Sequence, residues 1–245
     1  MTSTAFLPRR RRLRLGTAMV AAVTAGSLAL AAAPAGAATA PAVTLAGHQV
    51  STSAGHGLKH TRTVVTGLTG VAATPATRII AKVNAVTKKA LATSPGDLGY
   101  VAENDDVVTF VRADARYVTV SQQRYFFYYQ AAHGESWVDP LTFDRTTGAL
   151  LTLHSFAAKG QESTLLHRLS VATRSALKKR GADPIAYVDG TTPKYANFAS
   201  FEPLPTGLLV EFPQGAVDAE AAGPLTVLVH WATLKGLVGL PLPTK

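Results

Sequence analysis

Residues 124–151 read RYFFYYQAAHGESWVDPLTFDRTTGALL, and the fold turns on how this stretch is parsed. It opens with consecutive aromatics, Tyr125, Phe126, Phe127, Tyr128 and Tyr129. Aromatic side chains fit a pleated surface, and a run apolar at successive positions can bury both faces, as a central strand does. A strand is therefore predicted over residues 125–130. The run stops at His133-Gly134. Apolar and polar residues then alternate through Leu141, Thr142, Phe143 and Asp144, the pattern of a half-buried strand. Thr146-Thr147-Gly148 is a turn signal, because Gly148 can take positive φ without steric cost. Residues 149–153 continue apolar. The expected order is strand, loop, strand, turn, strand. The interrupting loop, residues 133–140, holds the most unusual polar cluster of the chain.

Upstream, Val107 to Val111 and Tyr117 to Val120 read as a hairpin, so three antiparallel strands lead to His133. Glu103-Asn104-Asp105-Asp106 reads as an acidic turn; it lacks the Asp-x-Asp-x-Asp-Gly ordering of a calcium loop. Thr74-Pro75 starts a helix, Thr as N-cap and Pro at the first helical position. Ile79, Ile80, Val83, Val86, Thr87 and Leu91 then form a stripe at helical spacing, with Arg78, Lys82, Lys88 and Lys89 mostly off it. Ser94-Pro95-Gly96 closes that helix. A short strand is expected over residues 61–66. Downstream, residues 161–180 form a second helix with Leu165, Leu166, Leu169 and Leu177 on its apolar side. Lys178-Lys179-Arg180 suits its C-terminal carbonyls and Gly181 stops it. Residues 198–212 read as a hairpin, 213–223 as a long loop, 225–231 as a last strand and 232–237 as a short ending.

The N-terminus is an export signal by its pattern. Arg9 to Arg12 and Arg14 form a basic region, residues 15–33 are Ala-rich and apolar, and Ala35-Gly36-Ala37 is a small-x-small cleavage site. The rival reading, an uncleaved membrane anchor, is weakened by how little alanine contributes to insertion. The chain has no cysteine, which excludes disulfides and a lipoprotein anchor, so stability must come from a packed core. The net charge of +9 falls to about +4 for residues 38–245, because the removed segment carries five arginines and no acid. The first acidic residue is Asp97. Lys59, Arg62, Arg78, Lys82, Lys88 and Lys89 stand before it unopposed. They are scattered, which favours solvated faces over a polyanion site. Residues 38–58 are rich in Ala, Thr, Ser and Gly and are expected to be flexible. His48, His56 and His60 match no helical ligand spacing for a metal.

Several segments share an order with a known family. Residues 127–134, FYYQAAHG, resemble the aromatic-x-Gly-Ala-His-Gly signature of the extracellular domain of RsiV-type anti-sigma factors. LTFDRTTGALLTLHSF from Leu141 is similar to that family's FDLxTGKxLxLxDLF run. Phe201, Gly207, Leu208 and Phe212 match its FxxFxxxxxGLxxxF hairpin, and Ala221-Ala222-Gly223 resembles its APYAxG loop. The helix carrying Asn84 is similar to one that precedes this module in relatives. The resemblance spans about residues 60–235 and implies an antiparallel sheet carrying two helices. It also implies a binding or sensing module, since the anti-sigma domain recognises lysozyme. Three departures stand out. Ala219-Glu220 replaces the family's Pro-Tyr, removing an aromatic that could enter a partner's cleft. Ala131 and His154 replace a Gly and an Asp. About sixteen residues precede the apolar segment, too few for a sigma-binding domain.

The expectation is thus an α+β fold with one antiparallel sheet and two main helices. Residues 1–37 form the signal, 38–59 a linker and 60–245 the domain. The expected activity is non-catalytic binding of a protein partner such as lysozyme, or of a cell-wall polymer, outside the cell. Neither cofactor nor metal is expected, nor nucleic acid, and membrane contact is confined to export. The candidate ligand-binding residues are His133, Gly134, Trp137 and Asp139 in one loop, and Asp218 and Glu220 in the other. The alternative is a wall-modifying hydrolase using His133 as base with Glu135, Asp139 and Asp144 near in sequence. It lacks a cysteine or Gly-x-Ser-x-Gly nucleophile. The simpler role for His133 is to end a strand, bonded within the turn, with Gly134 at an unusual backbone angle.

Overall fold

A five-stranded sheet is built from β1 (Thr44–Ser53), β2 (Lys59–Thr69), β3 (Val101–Ala113), β4 (Tyr117–Tyr128) and β5 (Glu135–Asp144), side by side in that order. A three-stranded sheet follows from β6 (Phe201–Leu204), β7 (Gly207–Phe212) and β8 (Leu225–His230). The helices are α1 (Ala73–Ala92), the single turn α2 (Leu153–Phe156) and α3 (Glu162–Lys179). The fold is α+β. The computed structural model describes residues 41–53, 59–92, 101–128, 133–182 and 188–243. The expected signal segment 1–37, His56 and the helix stop at Ser94-Pro95-Gly96 lie outside the described residues. No helix among the described residues is long and apolar enough to cross a membrane.

β4 is the central element because both of its faces are covered. Val118 and Val120 are fully buried on one side, packed with Phe143, Val65, Leu68, Ile79 and Val83 beneath α1. Tyr117 faces the opposite core, with Phe156, Leu169, Phe201 and Leu208 beneath α3. The two cores thus lie on opposite faces of one strand. Two expected strands, Tyr117 to Val120 and Tyr125 to Gln130, merge as far as Tyr128 into the single strand β4, and residues 129–130 lie outside the described residues. The polar interval from Ser121 to Arg124 does not break it, because β3 and β5 pair along it on both edges, Gln122 opposite Val108 and Asp139, and Arg124 opposite Asp106 and Trp137. For the same reason the expected acidic turn at Glu103-Asn104-Asp105-Asp106 is part of β3, paired with Tyr125 to Phe127 and Arg124.

Two further expectations are corrected. Most of the predicted loop 133–140 is strand β5, which pairs Phe126 with Glu135 and Tyr117 with Asp144. Pro140 is tolerated there because β5 is the edge of its sheet, where a missing N–H need not face a ladder. Residues 44–53, expected as flexible linker, form β1 along β2. The apolar run at 149–153 is not a strand. Only Leu150 bridges Phe143, and the chain turns into α2 through a capping box between Thr152 and Ser155. Gly148 takes φ 71° as expected, and Asp144 Oδ1 accepts the Thr146 and Thr147 N–H groups at 3.0 and 2.7 Å.

β2 and β3 run parallel, the one departure from an antiparallel arrangement among the described residues. α1 lies between them in sequence and carries the chain back to the starting end, as a crossover must. Its buried stripe is Ala76, Ile79, Val83 and Thr87, with Arg78, Lys82, Lys88 and Lys89 exposed. β2 pairs with β3 only over Lys59 to Arg62. Beyond that point α1 takes over the strand's free backbone groups. Asn84 Oδ1 accepts the Val65 N–H and Asn84 Nδ2 donates to the Val65 carbonyl, both at 2.8 Å. α3 keeps its predicted ends, with Arg180 as C-cap and Gly181 at φ 83°.

Candidate functional site

The two segments singled out in the sequence lie against each other. β5 is the outer strand of the large sheet, and the chain leaving β7 runs beside its first residues. The Ser136 N–H donates to Gln214 Oε1 at 3.1 Å, and the Gln214 N–H donates to the Ser136 carbonyl at 3.4 Å. Beside this join, His133 Nε2 stands 3.8 Å from Glu220 Oε2, with the two side chains 60 % and 65 % exposed. Glu220 opens a short 3-10 turn, Glu220–Ala222, and Gly215, at φ 75°, passes close to its side chain.

Each candidate residue has a definite place. His133 bonds locally, its Nδ1 3.2 Å from the Gly134 carbonyl oxygen. Gly134 is needed for a different reason from the one expected. Its φ lies outside the left-handed region, but a Cβ there would sit 2.4 Å from the Tyr125 ring. Glycine is therefore favoured by the close approach of an aromatic ring, which a side chain would displace, and not by a backbone angle. Trp137 is half-buried and stacks on Phe126, with ring centroids 5.1 Å apart. Asp139 is held inward: it stands 3.2 Å from Arg124 Nε and accepts from Ser200 Oγ at 2.9 Å. Asp218 Oδ1 accepts the Ala219 N–H at 2.8 Å, at the entry to the 3-10 turn. The outward-facing pair is thus His133 and Glu220, while Asp139 and Trp137 form the base beneath.

The carboxylates near His133 in sequence do not gather around it. Glu135 and Asp144 occupy opposite ends of β5, about 30 Å apart at the rise of a strand. The acid beside His133 comes instead from the distant Glu220. Two other histidines are engaged elsewhere: His154 Nδ1 lies 3.0 Å from the Tyr195 hydroxyl, and His230 Nδ1 lies 3.3 Å from the Thr206 carbonyl oxygen. Among the described residues no three His, Asp or Glu side chains gather as metal ligands.

Beneath the site lies a polar seam that the sequence reading missed. Asp106 is 1 % exposed and lies 3.5 Å from Arg124 Nε, an ion contact longer than a hydrogen bond. Burial raises its pKa to about 6, against the lowering pull of Arg124 and with help from Asp139. Across the seam the small sheet brings Glu202, 3 % exposed, to Arg112 at 3.1 Å. Burial raises Glu202 as well. Glu211 is raised to about 7 by burial, then by Glu202 and Asp139, with Arg112 opposing. A charged Arg124 inside an aromatic strand was the one visible signal for this cluster. Ser200 and Glu211 offered none, because their role depends on which strands the fold places side by side.

No family model matches the chain, and no curated protein matches it. Solved structures do. The chain is similar to a DUF3298 family protein from Pseudomonas aeruginosa PAO1, with a TM-score of 0.54 and 12 % identity over 83 % of this chain and 97 % of that one. It is also similar to a member of the DUF3298 family from Bacteroides fragilis, with a TM-score of 0.52 and 14 % identity over 83 % of this chain and 96 % of that one. At these identities the likeness is one of fold, and it takes in nearly the whole of both solved chains.

Proposed function

We propose that this domain is an extracellular, non-catalytic recognition module of the RsiV-like type. It binds a protein partner such as lysozyme across the surface formed by residues 133–139 and 213–220. The observation that carries this reading is the clamping of these two segments by paired Ser136–Gln214 bonds, which leaves His133 and Glu220 outward. Two chain segments fixed to each other present a preorganised surface, which lowers the ordering cost of association. The ordered resemblance to the anti-sigma domain and the export pattern support the compartment and the class of partner. A wall-hydrolase reading gains nothing from the geometry, since Glu135 and Asp144 are spread along β5 and Glu220 meets His133 at the open surface.

The test is binding of the full chain to immobilised lysozyme and, in parallel, to purified peptidoglycan. The same assays are run on a His133→Ala, Glu220→Ala double variant whose fold is checked by circular dichroism. Saturable lysozyme binding, weakened about tenfold or more in the variant, is the expected result. Peptidoglycan binding alone moves the ligand to a wall polymer. Lysozyme binding of unchanged affinity in the variant overturns the assignment of this surface.

A further inference from the structure

We propose that residues 231–242 form a binding cleft for a free aliphatic chain with a carboxylate head, such as a fatty acid. The cleft is separate from the candidate surface and does not rest on the function proposed above.

The chain makes this cleft by folding back on itself after β8. Trp231–Leu234 is a short 3-10 turn. The chain then runs along the segment that follows α2. Val238 bridges Ala157, the Ala158 N–H donates to the Leu237 carbonyl at 2.8 Å, and the Gly239 N–H donates to the Phe156 carbonyl at 3.0 Å. The Tyr117 hydroxyl holds the last part by donating to the Pro241 carbonyl. Trp231 at the start of this segment and Leu242 near its end line one cleft of about 400 Å³, a volume typical of small-molecule sites. β7 and β8 pair Gly207 with His230 at one end and Phe212 with Leu225 at the other. The cleft begins just after His230, and residues 213–220 follow Phe212. The two surfaces therefore sit at opposite ends of the small sheet.

The lining sets the class of ligand. Trp231, Leu234, Val238, Leu240 and Leu242 give the cleft hydrocarbon walls. The one polar atom of the Trp231 ring is already engaged, its Nε1–H donating to the Leu204 carbonyl at 2.8 Å, and the ring stacks on Phe156 with centroids 6.0 Å apart. The carbonyls of Leu234, Leu237 and Pro241 each accept a hydrogen bond from within the protein. Such walls are poor partners for a ligand rich in amides or hydroxyls, which would surrender hydrogen bonds to water on entering. They suit a saturated chain. Leu242 is 44 % exposed, apolar surface that a bound chain would remove from water. Lys235 is the one charged residue of the lining, and it is exposed. It has no ion-pair partner among the described residues. An apolar cleft with an unpaired cation at its edge complements a hydrocarbon body with an anionic head.

The test reads Trp231 directly, so it is independent of lysozyme or peptidoglycan binding. The chain has two tryptophans, and Trp137→Phe leaves Trp231 as the sole fluorescent indole. Decanoate is titrated into this full-length variant below its micelle concentration, with decanol and decyltrimethylammonium in parallel. Decanoate gives a saturable shift in Trp231 emission, with affinity about tenfold above decanol and higher still above the cation. Lys235→Ala removes that tenfold advantage and leaves decanol binding unchanged. Ala232→Phe, which fills the cleft from an exposed position, abolishes binding of both. If Trp137→Phe does not fold, the indole N–H resonance of Trp231 in the wild-type background reports the same titrations. Three results overturn the proposal: no saturable response of Trp231, equal affinity for the three amphiphiles, or decanoate binding unchanged by Lys235→Ala or by Ala232→Phe.

Discussion

Gly134 shows how a single residue can be read correctly as special and for the wrong reason. In the sequence it ends an aromatic run, and positive φ is the ordinary explanation for such a glycine. In the structure its φ is unremarkable, and the Tyr125 ring occupies the space a side chain would need. Gly134→Ala must therefore push aside an aromatic ring packed at the mouth of the candidate surface. We expect a loss of about 1–3 kcal/mol in urea unfolding, the usual cost of overpacking. Tyr125→Ala in the same chain should recover most of that loss, because it removes the atoms the new methyl meets. Absence of recovery would place the cause in the backbone. His133 and Glu220 behave differently: both are exposed, and substituting them should change binding more than folding.

At the scale of elements, α1 does more than cover a sheet. Its buried stripe of Ile79, Val83 and Thr87 was legible from helical periodicity, because burial of one face imposes that spacing. The role of Asn84 was not legible as physics. It replaces β3 as hydrogen-bonding partner of Val65, where the β2–β3 pairing ends. Asn84→Ala leaves one N–H and one carbonyl without a protein partner. The expected cost is about 2 kcal/mol, measured as the shift in denaturant midpoint, and Asn84→Asp should not recover it, because a carboxylate keeps the acceptor but sets a second acceptor against the Val65 carbonyl. β4 carries the opposite lesson. Two expected strands merged, because cross-strand pairing along both edges overrides a short polar interval that a local pattern counts as a break.

For the whole molecule, the buried acids predict how stability follows pH. Asp106 and Glu211 titrate at about 6 and about 7 in the folded chain. Both values are raised, so the folded state holds protons that the unfolded chain releases. The stability tied to these protons is complete below the unfolded carboxyl range and is lost as pH climbs through about 6 and then about 7. Urea unfolding should therefore show a less stable protein near pH 8 than near pH 5, by a difference on the order of 1–2 kcal/mol once the half-buried Glu211 is discounted for solvent screening. A flat or rising profile across that range contradicts the placement of these groups. The amino-acid sequence by itself determined the α+β class, the two amphipathic helices, the β6–β7 hairpin and the last strand. Each of these follows from local periodicity and glycine signals, which act over one or two turns of chain, although α1 begins at Ala73, so Thr74 lies inside the helix and is not its N-cap. It also marked both segments of the candidate surface, through His133 and Glu220. Tertiary structure alone decided that those segments touch, that Asp139 turns inward to Arg124 and Ser200, and that Asp106 and Asp139 share Arg124. Apart from the pairs of Arg124 with Asp106 and Asp139, these contacts join residues 61 and more positions apart in sequence. No local pattern encodes them, because they depend on which strand edges the packing of two cores brings together.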